Sequence, residues 1–241
     1  MAKTPANSGP DGGAPPPKTA IYDNDSILSP EEQRAVFAAL RLERCGIPRR
    51  FMDKTLENFV TRGSKERRDV VQAARSYLSS FGAHEGKDER PGVLLSGGTG
   101  TGKTHILVAI LRELMAKGHS ARYYNVPNLL KLLRATYDGQ EDLDEDDLIN
   151  EMCQVEVLAL DDLGAEKPSD WTADRLYLIV NTRYEECRPV LVATNLAWPE
   201  DLERAIGRRI ASRLAEMCSL IGPFPSQDWR YSSVGIQRRT T

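Results

Sequence analysis

The chain lacks the cysteine patterns of metal-binding and disulfide-rich proteins, and it lacks long apolar runs. Its four cysteines, Cys45, Cys153, Cys187 and Cys218, lie far apart and form no C-x-x-C pair. This spacing argues against a zinc site or a disulfide framework and favours buried thiols in a reducing compartment. No apolar run approaches the length that spans a membrane, and residues 1–20 have no signal-peptide core. We therefore expect a cytoplasmic protein without a membrane partner.

A large excess of charge of one sign is also absent. The formal net charge is −3, and charged residues make up 28% of the 241 residues. This balance argues against a surface devoted entirely to nucleic acid, although it leaves room for a local basic channel. The hydrophobic content of 40% is ordinary for a globular protein. The length allows one sizeable α/β domain with a short extension.

The distribution of proline, glycine and apolar residues divides the chain into four parts. Residues 1–27 are rich in Pro, Gly, Ser and Asn and predict a disordered tail, because too little apolar surface is available for burial. Residues 28–50 predict a short helix with Ser29 as its N-cap, which either docks a partner or packs on the main domain. Residues 51–235 form that main domain, and residues 236–241 form a flexible C-terminus.

The most specific pattern is the glycine-rich stretch GGTGTGKT at residues 97–104. It fits G-x-x-x-x-G-K-[ST], the phosphate-binding P-loop, and it lies between a predicted strand at 93–96 and a predicted helix that continues to Gly118. Glycines let backbone N–H groups approach a polyphosphate closely. Lys103 would reach the β- and γ-phosphates, and the Thr104 hydroxyl would ligate Mg²⁺. The predicted phosphate-binding residues are Gly97, Gly98, Thr99, Gly100, Thr101, Gly102, Lys103 and Thr104.

Two further predicted strands end in polar side chains. The strand at 155–160 is followed by Asp161 and Asp162, and the strand at 189–194 is followed by Asn195. Ligands of an open parallel sheet bind outside the carboxyl ends of its strands, so these side chains should face the P-loop. Asp161 would hold the Mg²⁺ shell and Asp162 would orient the attacking water. The alternatives are two surface aspartates and an asparagine that only forms a turn.

Helical spacing and N-caps predict the remaining elements. The helices cover residues 64–81, 127–137, 169–186 and 199–217, and one more strand covers 121–126. The acidic run at 141–147 predicts a solvated helix start, because it lacks the glycine of a calcium loop. The helix at 199–217 carries several arginines, which form a solvated face or, in an oligomeric ATPase, include one that reaches a neighbour's γ-phosphate. These arginines are Arg204, Arg208, Arg209 and Arg213.

In this order, the motifs resemble those of AAA+ ATPases. More narrowly, residues 49–230 resemble the bacterial DnaC/DnaI-type replicative helicase loaders and the related IstB transposition ATPases. The segments that carry the resemblance are 96–105, 160–166, 169–171, 181–184, 194–196, 209–214 and 228–230. The resemblance implies an α/β fold, a three-layer αβα P-loop AAA+ (ASCE) domain with a parallel five-stranded sheet.

The resemblance also implies a role for each matching residue. Arg213 would be an arginine finger that acts on a neighbouring subunit's ATP, and Arg230 would be the sensor 2 residue. Tyr137, Ser169 and Trp171 would contact single-stranded DNA, the alternative being that both aromatic rings pack within the domain. The remaining nucleotide-site assignments are Lys103, Thr104 and His105 in and after the Walker A motif, Asp161 and Asp162 in Walker B, and Asn195 as sensor 1.

The function implied by the resemblance is ATP-dependent helicase loading. Protomers would bind ATP and Mg²⁺, form a homo-oligomer on single-stranded DNA, and deliver a replicative DNA helicase. Because Asp162 is one methylene shorter than the usual glutamate, hydrolysis should be slow. One alternative is an IstB-like transposition helper that binds a transposase, and another is a non-hydrolysing adaptor. A P-loop small-molecule kinase is the third alternative, although residues 127–153 lack the arginine-rich lid that it needs.

Overall fold

The computed structural model describes residues 42, 44–82, 91–137, 144–166, 169–225 and 228–229. The tail predicted at 1–27 and the C-terminus predicted at 236–241 lie outside these residues. Of the helical element predicted over 28–50, only residues 42 and 44–50 are described. Its role in docking a partner therefore stays a prediction.

Five strands alternate with the helices of the described residues. The strands are β1 Gly92–Ser96, β2 Ala121–Asn125, β3 Val157–Asp161, β4 Val190–Thr194 and β5 Cys218–Ile221. The α-helices are α1 Lys65–Ser80, α2 Lys103–Ala116, α3 Val126–Tyr137, α4 Glu145–Gln154, α5 Asp170–Glu185, α6 Glu200–Ile206 and α7 Arg208–Met217. None of these helices is both long and apolar enough to cross a lipid bilayer.

The five strands form one parallel sheet in the order β2-β3-β4-β1-β5. β3 and β4 are buried along their whole length, as expected for a parallel sheet that is covered on both faces. The register places Ser96 beside Thr194, and Asn125 beside Asp161. The P-loop after β1 therefore lies next to the end of β4, and the acidic pair after β3 lies between β2 and β4.

Helices cover both faces of the sheet. On one face, α1 and α2 pack together with Leu56 and Phe59, two buried residues of the segment that precedes α1. On the other face, α3 to α7 pack over β3 and β4, and α5 contacts α7. This three-layer αβα arrangement around a parallel sheet confirms the predicted fold class. The segment that precedes α1 contributes to the core through these two residues.

Side-chain caps start several of the helices, as the sequence predicts. The hydroxyl of Ser169 accepts a hydrogen bond from the backbone N–H of Thr172 at 3.2 Å and begins α5. The Asp144 carboxylate accepts one from the N–H of Asp146 at 3.0 Å and begins α4 within the acidic run. Acidic side chains in this first turn are favourable because the helix N-terminus carries partial positive charge.

The C-terminal part of the domain differs from the sequence-based expectation at two points, one helix that is interrupted and one strand that was not located. The single helix predicted over 199–217 is two helices, because Gly207 breaks it with a φ of 86° and a ψ of 150°. The strand β5 directly follows α7 and pairs with β1, although the sequence pattern locates no strand there. Only Cys218 and Ile221 of its four residues are buried, which is too few to give a strand periodicity.

Candidate nucleotide-binding site

A cavity of about 900 Å³ opens at the carboxyl ends of the strands. It brings together the P-loop, the ends of β2, β3 and β4, and the segment before α1. The predicted residues that line it are Gly100, Thr101, Gly102, Lys103, Thr104, His105, Asp161, Asp162 and Asn195. Gly97, Gly98 and Thr99 form the start of the loop and are not among the lining residues.

Lys103 links the P-loop to the end of β4. It is the first residue of α2, and only 5% of it is exposed. Its Nζ donates to the Gly98 carbonyl and to Asn195 Oδ1, each at 2.7 Å. The N-terminus of α2 faces the same cavity, so its backbone N–H groups and the lysine provide positive charge in one place.

Asp161 is a buried carboxylate held by neighbours from three elements. Thr104 Oγ1 donates to Asp161 Oδ1 at 3.2 Å, and the Tyr123 hydroxyl donates to Asp161 Oδ2 at 2.6 Å. The backbone N–H of Asp162 also donates to Asp161 Oδ1, at 3.0 Å. Burial raises the pKa of Asp161, and the hydrogen bonds from Tyr123 and Thr104 oppose that rise. A hydroxyl and a carboxylate at this spacing are oxygen ligands of the kind that Mg²⁺ prefers.

The second carboxylate, Asp162, is clamped between two amides. Asn195 Nδ2 donates to Asp162 Oδ1 at 3.1 Å, and Asn125 Nδ2 donates to Asp162 Oδ2 at 2.9 Å. Asp162 has a φ of 57°, in the left-handed region that residues with a side chain rarely adopt. Such strain persists only where the surroundings impose it, and it is frequent at functional sites.

Sequence reasoning missed Tyr123 and Asn125, which both lie in β2. The register pairs Tyr123 with Ala159 and Asn125 with Asp161, so their side chains reach the acidic pair from the neighbouring strand. The signal that could have found them is the polar end of β2, which parallels the polar ends of β3 and β4. The strand order decides whether that signal matters, because only a neighbour of β3 can contact its carboxylates.

His105 connects α2 to the segment before α1. Its Nε2 lies 2.8 Å from the Thr55 carbonyl oxygen, and its ring meets the Phe59 ring edge-on with centroids 5.0 Å apart. Burial lowers the pKa of His105, which favours a neutral ring whose Nε2–H donates to Thr55. His105 thus closes one side of the cavity through packing and a hydrogen bond.

Arg213, for which the resemblance implies a nucleotide role, is not among the residues that line this cavity. Arg213 lies on α7, where its Nε donates to Asn181 Oδ1 at 2.5 Å and an Nη2 donates to the Tyr177 hydroxyl at 3.0 Å. Arg230 lies outside the described residues. The preceding residue, Trp229, does line the cavity, so the described chain reaches the site at its C-terminal end.

Ser169 and Trp171, two of the three predicted DNA-contacting residues, are not among the residues that line the cavity. Trp171 is half-buried in the first turn of α5, with the guanidinium carbons of Arg134 and Arg175 at 4.9 and 5.5 Å from its ring centroid. Ser169 is the N-cap of the same helix. Tyr137 is the last residue of α3, and its side chain lies outside the described part of the structure. Their contact with DNA stays a prediction.

Comparison with known proteins identifies this arrangement. Residues 52–209 match the model of the family described as IstB-like ATP binding protein. Over 182 residues the chain is 30% identical to the uncharacterized protein YqaM of Bacillus subtilis, covering 72% of this chain and 55% of that relative. The matched part thus spans about half of YqaM.

Two further comparisons concern helicase loaders. The chain is 27% identical over 191 residues to the replicative helicase loader DnaC of Buchnera aphidicola subsp. Schizaphis graminum, covering 79% of this chain and 74% of that relative. A crystal structure of the DnaC helicase loader superimposes with a TM-score of 0.62 at 25% identity, covering 72% of this chain and 98% of that chain. The fold is that of an AAA+ P-loop domain.

Proposed function

The chain belongs to the family of IstB-like ATP binding proteins, and from this premise we propose that it is an ATP-dependent helicase loader. Protomers bind ATP and Mg²⁺, assemble on single-stranded DNA in the cytoplasm, and deliver a replicative DNA helicase. The observation that carries the proposal is the hydrogen-bonded network in the cavity. It joins Lys103 to Asn195, Asn195 to Asp162, and Asp161 to Thr104.

The cavity suits a nucleoside triphosphate with its metal ion. The backbone N–H groups at residues 100–104 and Lys103 would hold the phosphates, and Thr104 with Asp161 would hold Mg²⁺. Bound Mg²⁺ supplies charge neutralisation on the phosphate oxygens. The cavity volume of about 900 Å³ lies within the range of small-molecule sites. His105 and the segment at 53–60 form the wall beyond the phosphates.

Hydrolysis in this proposal depends on Asp162 and Asn195. The two amides that clamp Asp162 fix its carboxylate at the edge of the cavity, where it would orient the attacking water. Both carboxylate oxygens are already engaged by Asn125 and Asn195, which supports slow basal turnover. A single-turnover ATPase measurement with and without single-stranded DNA separates slow hydrolysis from the non-hydrolysing adaptor.

Assembly would complete the site through Arg213 of a neighbouring subunit. This arginine does not line the cavity of its own chain. The ion pairs in the described ranges do not include Arg213. Its guanidinium donates to Asn181, Tyr177 and the Arg209 carbonyl, so reaching a neighbour's phosphate would require it to exchange these hydrogen bonds. An arginine supplied in trans accelerates hydrolysis by about a thousandfold or more in related chemistry. We therefore expect the isolated monomer to hydrolyse ATP slowly.

The proposed DNA contact has chemical support at Trp171. An aromatic ring can stack on any base, and the cation of Arg134 beside it suits the phosphate backbone, whereas Arg175 is paired with Glu145 at 2.6 Å. Together with Ser169 and Tyr137, this surface would bind single-stranded DNA with little sequence preference. The measurement is the affinity for a labelled oligonucleotide in the presence of ATP.

A transposition helper is the second candidate, because the matching family model is described as IstB-like. The relative named as a replicative helicase loader favours the first candidate. The small-molecule kinase finds no support in either comparison.

A pull-down distinguishes the two candidates. The full chain is incubated with lysate of its own organism and with ATP or a non-hydrolysable analogue, and the bound partner is identified by mass spectrometry. Capture of the replicative helicase supports loading, and capture of a transposase supports the helper. Lys103→Ala is the control, and ATP-dependent capture that survives this change would contradict both candidates.

A further inference from the structure

Arg67 is a buried arginine that lines the cavity and belongs to none of the sequence motifs described above. It lies in the first turn of α1, is 5% exposed, and lines the cavity. Its Nε donates to the Val60 carbonyl at 2.7 Å, and an Nη1 donates to the Thr101 carbonyl at 3.2 Å. Arg67 thus connects α1 to the segment before it and to the P-loop.

The guanidinium of Arg67 lies between two aromatic rings. Its central carbon is 4.1 Å from the centroid of the Phe59 ring and 4.6 Å from that of the Trp229 ring. A cation is attracted to the face of an aromatic ring, and the attraction is stronger when both are desolvated. The ion pairs among the described residues do not include Arg67, and burial lowers its pKa. The two rings and two carbonyls therefore stabilise this charge.

Trp229 places the end of the described chain against the P-loop. Its backbone N–H donates to the Gly100 carbonyl at 3.2 Å. A Cβ at Gly100 would collide with the carboxylate of Asp228, so the glycine makes room for the chain itself. The P-loop is consequently in contact with Arg67 through Thr101 and with the C-terminal residues through Gly100.

We propose that Arg67 is a positioning residue that couples the docking of Trp229 to nucleotide binding by the P-loop. The proposal rests on the P-loop being the ATP site, as proposed above. With the guanidinium held between the rings, the Thr101 carbonyl is fixed, and with it the adjoining backbone N–H groups that face the phosphates. Coupling between two sites is reciprocal, so ATP in the loop strengthens the docking of Trp229 by the same factor.

A double-mutant cycle on the full chain tests the coupling. Binding of a fluorescent ATP analogue with Mg²⁺ is titrated for the wild type, Arg67→Met, Trp229→Ala and the double variant. Each single change should weaken binding about tenfold, since each removes a desolvated cation–π contact. The double variant should bind no more weakly than the weaker single variant, because both changes break the same stack.

The control is Arg75→Met, on the same helix. Arg75 is exposed and pairs with the exposed carboxylate of Glu57 at 3.2 Å, and it is not among the residues that line the cavity, so this variant should bind the analogue like the wild type. Unchanged affinity in both single variants, or fully additive losses in the double variant, would overturn the proposal. If Lys103→Ala abolishes binding while Arg67→Met and Trp229→Ala bind normally, the ATP site stands and only the coupling fails.

Thermal unfolding separates positioning from a merely structural role. If a change only removes packing, it should lower the melting temperature measured without nucleotide. The increase in melting temperature on adding saturating ATP should then be the same as in the wild type. The proposal predicts a smaller ATP-induced rise in both single variants, because ligand stabilisation depends on affinity. Should Arg67→Met fail to fold, Trp229→Ala at the end of the described chain decides the outcome by itself.

Discussion

Among single residues, Tyr123 directly contacts Asp161, the carboxylate that we propose as a Mg²⁺ ligand. Its hydroxyl is 2.6 Å from Asp161 Oδ2, and the ring is buried in the middle of β2. By holding one carboxylate oxygen, Tyr123 leaves the other oriented toward Thr104. A ligand oriented in this way binds a metal without first paying to immobilise its side chain.

Tyr123→Phe should therefore raise the Mg²⁺ concentration needed for half-maximal nucleotide binding. The expected increase is about tenfold, as is usual when a residue that hydrogen-bonds to a metal ligand is changed. The measurement is a Mg²⁺ titration of fluorescent-ATP binding. Tyr124→Phe is the matched control, because the Tyr124 hydroxyl donates to Glu151 at 2.9 Å outside the cavity. An equal shift in the two variants would contradict the assigned role.

His105 makes the stability of the site region depend on pH. Burial lowers its pKa below the unfolded value of about 6.5. A histidine whose pKa is lower in the folded chain than in the unfolded chain favours folding in its neutral form. Its contribution to stability is complete above the unfolded pKa and is lost as the pH falls through the folded pKa. The neutral ring donates to Thr55 and packs on Phe59, and protonation disfavours that burial.

His105→Gln should consequently flatten the pH dependence of stability. Urea unfolding is measured at about pH 8 and at about pH 5.5, on either side of the unfolded histidine pKa. The wild type should lose more free energy of unfolding between these values than the variant does. Equal losses in both proteins would show that His105 titrates alike in the folded and unfolded chain.

The sequence predicts the residues of the cavity that belong to motifs, and it misses those that depend on strand order. Lys103, Asp161 and Asn195 were predicted from their positions after apolar runs, and the cavity brings them together. Asn125 and Arg67 reach the site only because β2 lies beside β3 and α1 lies beside the P-loop. No local pattern encodes that adjacency.

At the scale of secondary-structure elements, Arg183 joins α5 to the segments that precede β3 and β4. Its side chain is fully buried on α5, and burial lowers its pKa to about 10. The guanidinium donates to five backbone carbonyls at 2.8 to 3.3 Å, those of Met152, Cys153, Val155, Glu156 and Pro189. One side chain thus provides hydrogen-bond donors for backbone carbonyls at the C-terminal end of α4 and directly before β3 and β4.

Arg183→Met should lower the free energy of unfolding by about 3 to 5 kcal/mol, because several buried carbonyls lose their donor. Chemical denaturation of both proteins gives the difference. Arg204→Met is the control, since Arg204 is exposed and pairs with Asp201 one turn away, and such pairs contribute about 0 to 0.5 kcal/mol. A loss for Arg183→Met as small as that of the control would contradict this explanation.

Element boundaries follow the sequence where caps and apolar runs agree, as for α5 with its Ser169 cap. They depart from it at the C-terminal side. Gly207 interrupts an arginine-rich segment whose helical periodicity continues on both sides, so the break depends on a backbone angle that composition does not reveal. β5 is recognisable only through its pairing with β1, a long-range contact.

At the scale of the whole molecule, the fold places Arg213 outside the lining of the nucleotide cavity of its own chain. The order of the parallel strands brings the P-loop, the acidic pair and Asn195 together at the carboxyl ends of β1, β3 and β4. Arg213 lies on α7, beside Tyr177 and Asn181 of α5. A homo-oligomer in which the arginine of one protomer meets the cavity of the next would link ATP binding to assembly, which is the central claim of the proposed function.

Mixing two inactive variants tests this claim most directly. In the proposed mechanism, Lys103→Ala would keep Arg213 but would not hold the phosphates, whereas Arg213→Ala would bind ATP but offer no arginine to its neighbour. The steady-state ATPase rate is measured for each variant alone and for their mixture on single-stranded DNA. A shared site predicts low rates for the separate variants and a mixture much faster than their sum. A mixture that only matches the sum would contradict the shared site.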